Sequence, residues 1–189
     1  MQIAKNYKKH IYCLEGNWAD DLRQQSGIYS SLNFLKDNCD IKNIYRHCGT
    51  KETLFFYLNK WKLKTYSNYS ICYLAFHGHE GEICIGKETV SLEEIGEVLS
   101  GKCKDKIIFF GSCLVLQVGQ ARISNFLHTT GALCVCGYKA TVNFLESSVF
   151  EMLVIDMFQK YKDIGCVQRD IDLYYDKLSK ELNFSIYTL

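Results

Sequence analysis

What this chain lacks narrows its class before any motif is read. It has no proline among its 189 residues, an absence from which no function follows. No stretch approaches the roughly 20 apolar residues that a membrane-spanning helix needs. An excess of one charge is missing too: 22 basic and 21 acidic residues leave a formal net charge of +1. That balance provides no electrostatic footprint for nucleic acid or for an anionic membrane. Basic residues are scattered, and the densest runs (Lys5, Lys8, Lys9 and Lys102, Lys104, Lys106) read as solvated edges. The N-terminus, MQIAKNYKKH, carries charge with no apolar core behind it, so no secretory signal is expected. Internal repeats, Gly/Ser-rich linkers and low-complexity segments are absent as well.

What is present suits one compact domain over residues 1–189, 48% hydrophobic and 23% charged. Ten cysteines could suggest a disulfide framework. Cys13, Cys72, Cys134 and Cys136 sit inside apolar strand-like runs, where buried free thiols are common. With no export signal, a reduced, cytoplasmic protein is the simpler expectation.

Short apolar runs alternate with longer amphipathic ones. Strands are expected at 10–16, 41–48, 70–77, 106–113 and 132–138, with an edge strand at the end, from 184. Helices are expected over 27–38, after the N-cap Thr50, over 118–128, over 145–160 and over 165–181. Glu52 lies in the first turn after Thr50, and Leu54, Leu58 and Trp61 follow at helical spacing. A small hairpin is expected around Lys87, then a capping box at Ser91–Glu94 and a helix that stops at Gly101. The 145–160 segment is apolar nearly all round and is expected to be deeply buried. This alternation predicts an α/β fold, a three-layer sandwich with a mostly parallel central sheet and right-handed crossovers. In such sheets the functional crevice lies at the carboxyl ends of the strands.

Two runs end there in reactive side chains. YLAFHGHEGE delivers His77-Gly78-His79, and IIFFGSCL delivers Gly111-Ser112-Cys113. A thiol attacks a carbonyl only as thiolate, and its free pKa of about 8.5 leaves little thiolate at neutral pH. A nearby imidazole can take the proton and return it to a leaving amine. The tetrahedral intermediate then needs backbone donors, for which the amides of Gly78 and Cys113 are candidates. Cys113 as a buried structural thiol and His77 as a backbone-bonded strand end are the plainer readings. Joint placement at two strand ends weighs against both. A zinc site of His77, His79, Cys134 and Cys136 is a further alternative, but its spacing fits none of the usual patterns. No metal and no cofactor is expected.

An apolar strand ending in HG, a hairpin and helix, then an apolar strand ending in a small residue and Cys resembles the caspase-like cysteine peptidases. HGHEGE is similar to the segment around the catalytic histidine of caspases, separases and bacterial CHAT domains. IIFFGSC is similar to the strand that delivers their nucleophile. The resemblance implies a caspase-like fold over most of the chain, in a compact bacterial-type member. It also implies a cysteine endopeptidase with Cys113 as nucleophile and His77 as general acid/base. The separation of 36 residues (113 − 77) is shorter than the roughly 50 of caspases. The Q-A-C-x-G signature is absent, and Gly111 stands where metacaspases carry an acidic residue. His79 has no fixed counterpart and reads as a pocket or surface residue, with a supplementary catalytic part as the lesser alternative.

The loop after the fifth strand, GYKATVNF, is implied to line the pocket for the residue before the scissile bond, with Tyr138, Asn143 and Glu146 as candidates. Glu15, Asn17, Trp18, Arg46 and His47 would complete the crevice wall, Trp18 lying over substrate or else in the core. Expected partners are a protein substrate and a sensor, activator protein or small signalling ligand, in a bacterial defence or cell-suicide setting. The competing expectation is a catalytically silent module of the same fold that binds a partner or signalling ligand.

Overall fold

The structure, a computed structural model, describes residues 8–21, 23–24 and 26–189. Most of the segment considered as a secretory signal, Lys5 included, lies outside the described residues. Strand β1 (Ile11–Glu15) leads through helix α1 (Tyr29–Cys39) to β2 (Asn43–His47), and helix α2 (Lys51–Trp61) returns the chain to β3 (Ile71–Ala75). A small meander follows, β4 (His77–His79), β5 (Glu82–Ile85) and β6 (Glu88–Ser91), and runs into helix α3 (Leu92–Val98). Strand β7 (Ile107–Phe110), helix α4 (Gln120–Thr130) and β8 (Cys134–Tyr138) complete the parallel part. Helices α5 (Phe144–Lys160), α6 (Ile164–Tyr174) and α7 (Asp176–Glu181) then lead to β9 (Phe184–Tyr187).

The sheet order is β2-β1-β3-β7-β8-β9, parallel throughout except for β9, which runs antiparallel to β8 at one edge. Side chains alternate across each strand, as the two-residue period requires. Tyr12, Leu14, Cys72, Leu74, Ile108 and Phe110 pack beneath α2, α3 and α4. Ile11, Cys13, Ile71, Tyr73, Ile107 and Phe109 pack under α1, α5 and α6. With both faces covered, the strands must be apolar on both sides, and β1, β3, β7 and β8 are wholly buried. From β1 the chain winds first to β2 and then back over to β3, so winding reverses between β1 and β3. Crevices form at the carboxyl edge of such a reversal.

Local signals behave as their chemistry dictates. The Thr50 side chain accepts from Thr53 N at the start of α2, and Ser91 and Glu94 form a reciprocal capping box on α3. All ten cysteines are free thiols. Burial pushes the Cys48 and Cys103 thiols up to about 12, and Cys13, Cys72 and Cys136 well above the ordinary thiol value. Among the described residues, no helix is long and apolar enough to cross a membrane.

Several expectations need correction. The 70–77 run does not reach His77 as one strand. It breaks after Ala75, and His77 opens a separate antiparallel sheet, β4-β5-β6. The helix expected over 165–181 is two helices that break at Tyr175. Helix α5 is buried on one side only: Leu145 is 70% exposed and Val149 43%. Two lysines assigned to solvated runs are buried, Lys9 at 9% and Lys106 at 8% exposure. Each ammonium meets helix C-terminal carbonyls, which lack partners within their own helix and form the negative end of its dipole. Lys9 Nζ donates to Phe158 O and Tyr161 O at the end of α5. Lys106 Nζ donates to Trp61 O at the end of α2, over the Trp61 ring at 4.2 Å.

Replacing Lys106 by Met should therefore destabilise the fold by about 1–3 kcal/mol, through the orphaned carbonyl and the lost cation–ring contact. Lys104→Met, at an exposed position, should change stability by less than about 0.5 kcal/mol. Urea midpoints measured at constant slope distinguish the two. Equal midpoints would remove the capping role.

Candidate functional site

The site is built where β3 and β7 end side by side, Leu74 paired with Phe110 and Gly111 N donating to Leu74 O. Ser112 ties the two exits together. Its Oγ donates to Leu74 O and accepts from Phe76 N, both at 3.2 Å. It is 2% exposed, so this small hydroxyl satisfies a buried amide that has no strand partner.

Gly78 brings the second motif into place. A Cβ added there would lie 2.5 Å from Cys113 O, 2.7 Å from Val115 Cγ2 and 3.2 Å from Ser112 Cβ. Only a residue without a side chain lets β4 lie against the turn that carries Cys113. That turn is itself stitched to the chain leaving β8: Leu114 N donates to Ala140 O and Leu116 N to Tyr138 O. The residue after the cysteine, Leu114, has φ +63°, a left-handed conformation that costs a bulky side chain about 1–2 kcal/mol.

Cys113 is half-buried, and its Sγ accepts from Val142 N at 3.4 Å. The Cys113 N–H has no hydrogen-bond acceptor among the described residues. The His77 ring is held by its other nitrogen: Nε2 lies 3.0 Å from Trp18 O, and the His77 and Trp18 rings meet edge-on at 5.1 Å. A carbonyl only accepts, so Nε2 carries the proton and Nδ1 keeps its lone pair. Trp18 is anchored in turn by Glu15, which is buried at the end of β1. The Glu15 carboxylate accepts from Trp18 Nε1, Ile28 N and Tyr45 Oη.

Cys113 and His77 open onto one cavity of about 260 Å³. Trp18, Ile28, Phe76, Val142 and Phe144 supply apolar wall, and Gly111, Thr141, Ser147 and Ser148 the rest. Tyr73 and Glu151 line it as well, Glu151 at only 3% exposure. Burial pushes the Glu151 carboxyl up to about 7, while hydrogen bonds from the Tyr73 and Tyr138 hydroxyls pull the other way. A Cβ at Gly111 would meet Tyr73 Oη at 2.5 Å, so the tyrosine occupies the space a side chain there would need.

Of the residues expected around substrate, Trp18 lines the cavity and three others do not. Tyr138 is wholly buried in the core, its hydroxyl directed to Ser147 O and to Glu151. Asn143 caps α5, its side chain accepting from Leu145 N and Glu146 N. Glu146 is exposed in the first turn of α5 and lies outside the cavity lining. Glu15 is a buried anchor rather than a wall residue, and His47 pairs with Asn17 on the surface at 2.8 Å. His79 is exposed, opposite Glu82 in the β4–β5 ladder. Cys134 and Cys136 are buried on β8, and among the described residues no group of three or more His, Cys, Asp or Glu could hold a metal ion.

Glu151 escaped the sequence reading. It lies in an apolar helical stretch, FEMLV, where a lone carboxylate normally marks the solvated face. The neighbouring small residues at i−3 and i−4, Ser148 and Ser147, were the only visible hint that this face borders a cavity.

The model of a family of unknown function, DUF6642, matches residues 8–188. No curated protein matches the chain.

Two outcomes are expected. Ser112→Ala should cost about 1–3 kcal/mol in urea unfolding, because the Phe76 amide stays buried without a partner. Glu151→Gln tests the carboxyl. A folded pKa of about 7 against the ordinary 4.5 contributes stability that is complete below pH 4.5 and lost as pH rises to 7. Across that window the wild type should lose about 3 kcal/mol relative to Glu151→Gln. Parallel pH profiles would refute it.

Proposed function

The chain belongs to the DUF6642 family, and we propose that it is a cysteine endopeptidase of caspase-like fold acting through an acyl-enzyme on Cys113. One observation carries this reading. A half-buried thiol and an imidazole whose lone pair is left on Nδ1 line the same cavity, at the carboxyl edge of a mostly parallel sheet. The succession of strand β3, an antiparallel meander that opens at His77, a helix and strand β7 leading to Cys113 supports the resemblance to caspase-like peptidases.

In the proposed reaction His77 Nδ1 takes the thiol proton, and Cys113 Sγ attacks the scissile carbonyl carbon. The Val142 amide, which donates to the sulfur at 3.4 Å, holds Sγ in place for the attack. The amides of Cys113 and Gly78 receive the oxyanion, the former being without another acceptor among the described residues. His77 then protonates the departing amine, leaving a thioester on Cys113. The same nitrogen removes a proton from water, which attacks the thioester carbonyl and releases the acid, and the thiol is restored. Trp18 and Glu15 act as positioning residues, holding the His77 tautomer through the Trp18 carbonyl.

Control by a partner protein or small signalling ligand, in a bacterial defence or cell-suicide setting, belongs to the same proposal and rests on the resemblance. Cys113→Ala and His77→Ala should each lower cleavage of a susceptible protein by at least about 10³-fold with circular dichroism unchanged. Alkylation followed by peptide mass mapping gives a second readout. Cys113 should react much faster than the half-buried Cys39, Cys84 and Cys166, and His77→Ala should abolish that difference. Undiminished cleavage by Cys113→Ala would refute the reading. A thiol no faster than the other three would favour a silent module.

A further inference from the structure

We propose that the cavity beneath Cys113 and His77 takes a cationic side chain, lysine or arginine, whose charge meets the Glu151 carboxylate. The inference rests on the peptidase reading above and names the residue that precedes the bond to be cut.

Size and lining come first. About 260 Å³ is below the roughly 300–1,000 Å³ of a site for a drug-sized ligand and suits one long side chain. Its walls are largely apolar and aromatic, with Trp18, Phe76 and Phe144 prominent. Such walls suit the methylene stem of lysine or arginine, and the rings attract a cation.

The charge is the stronger argument. Taking a carboxylate out of water costs several kcal/mol unless a counter-charge repays it. Glu151 is in no ion pair among the described residues, and no lysine or arginine is among the residues that line its cavity. The groups facing it are Tyr73 from β3, Tyr138 and Cys136 from β8, and Cys13 from β1. Burial holds each of the four well above its ordinary pKa, so all are neutral and none supplies positive charge. Two tyrosine hydroxyls would bond a glutamine oxygen as readily, with no desolvated charge. The fold therefore gives no reason for the carboxylate, whereas a cation entering from the nucleophile's side supplies its missing partner. Glu146 is not an alternative, since it points into solvent from the first turn of α5.

The test separates this inference from the peptidase reading. Butylguanidinium and its neutral isostere butylurea are added to the whole protein at pH 8, and alkylation of Cys113 by iodoacetamide is followed by mass spectrometry. Butylguanidinium should protect Cys113 about tenfold better than butylurea, a margin of about 1.4 kcal/mol that should vanish in Glu151→Gln. Lowering the pH below about 7 should weaken protection, because the carboxyl then holds its proton. Peptides differing only in arginine, lysine, citrulline, leucine or aspartate before the scissile bond form the second arm. Arginine should exceed citrulline by at least about 100-fold in kcat/KM. Cation-selective protection without cleavage of any peptide would sink the peptidase reading and leave the pocket standing. Cleavage without preference for a cation, or equal protection by the two isosteres, would overturn the pocket instead. Because both comparisons are made in the wild type, they hold even if Glu151→Gln fails to fold.

Discussion

Everything at the carboxyl edge of the sheet depends on one close contact, the packing of Gly78 against the turn Ser112–Val115. The His77 motif and the Cys113 motif belong to different sheets, and no ladder hydrogen bond joins β4 to β7. Backbone-to-backbone approach is what sets their spacing. Any side chain at position 78 would push the antiparallel meander away from the turn, because its Cβ would overlap a carbonyl oxygen. Interiors packed to crystal-like density have no slack to absorb such an overlap.

Around that contact, buried polar groups fix the pieces in a definite order. Ser112 bridges the exits of β3 and β7, and Glu15 holds Trp18, whose carbonyl then holds the His77 ring. Each bond is made where an unsatisfied group would cost more than the bond itself gains, so the arrangement is specified as well as stabilised. Leu114 in a left-handed conformation directly after Cys113 fits the same pattern. Strain of this kind persists only where the surroundings over-determine it, here through the bonds from Leu114 and Leu116 to the chain leaving β8.

Helix α5 makes the opposite contribution. Ser147, Ser148 and Glu151 present a polar stripe to the cavity, while Phe150, Val154, Ile155 and Phe158 bury the helix against β1, β3 and β7. A one-sided helix reads as apolar all round when short polar residues are counted by hydropathy alone. Lys9 and Lys106 differ from expectation for a related reason: a lysine in a charged run has the pattern of a solvated residue, and only the helix end packed above it makes it a buried cap.

Elements were legible from local chemistry because capping, period and turn residues act within a few positions. Thr50, the Ser91–Glu94 box and the two-sided apolar strands needed no tertiary information, and neither did the α/β class with its mostly parallel sheet. His77 and Cys113 could be singled out because each ends or follows an apolar run. The break after Ala75, the lining of the cavity and the position of Glu151 were decided only when distant segments packed. Whether a carboxylate on a helix meets water or a cavity depends on what lies across from it, and that neighbour, Tyr73 on β3, is 78 residues away in the chain. Periodicity names the face of a helix; only the folded protein supplies what the face looks at.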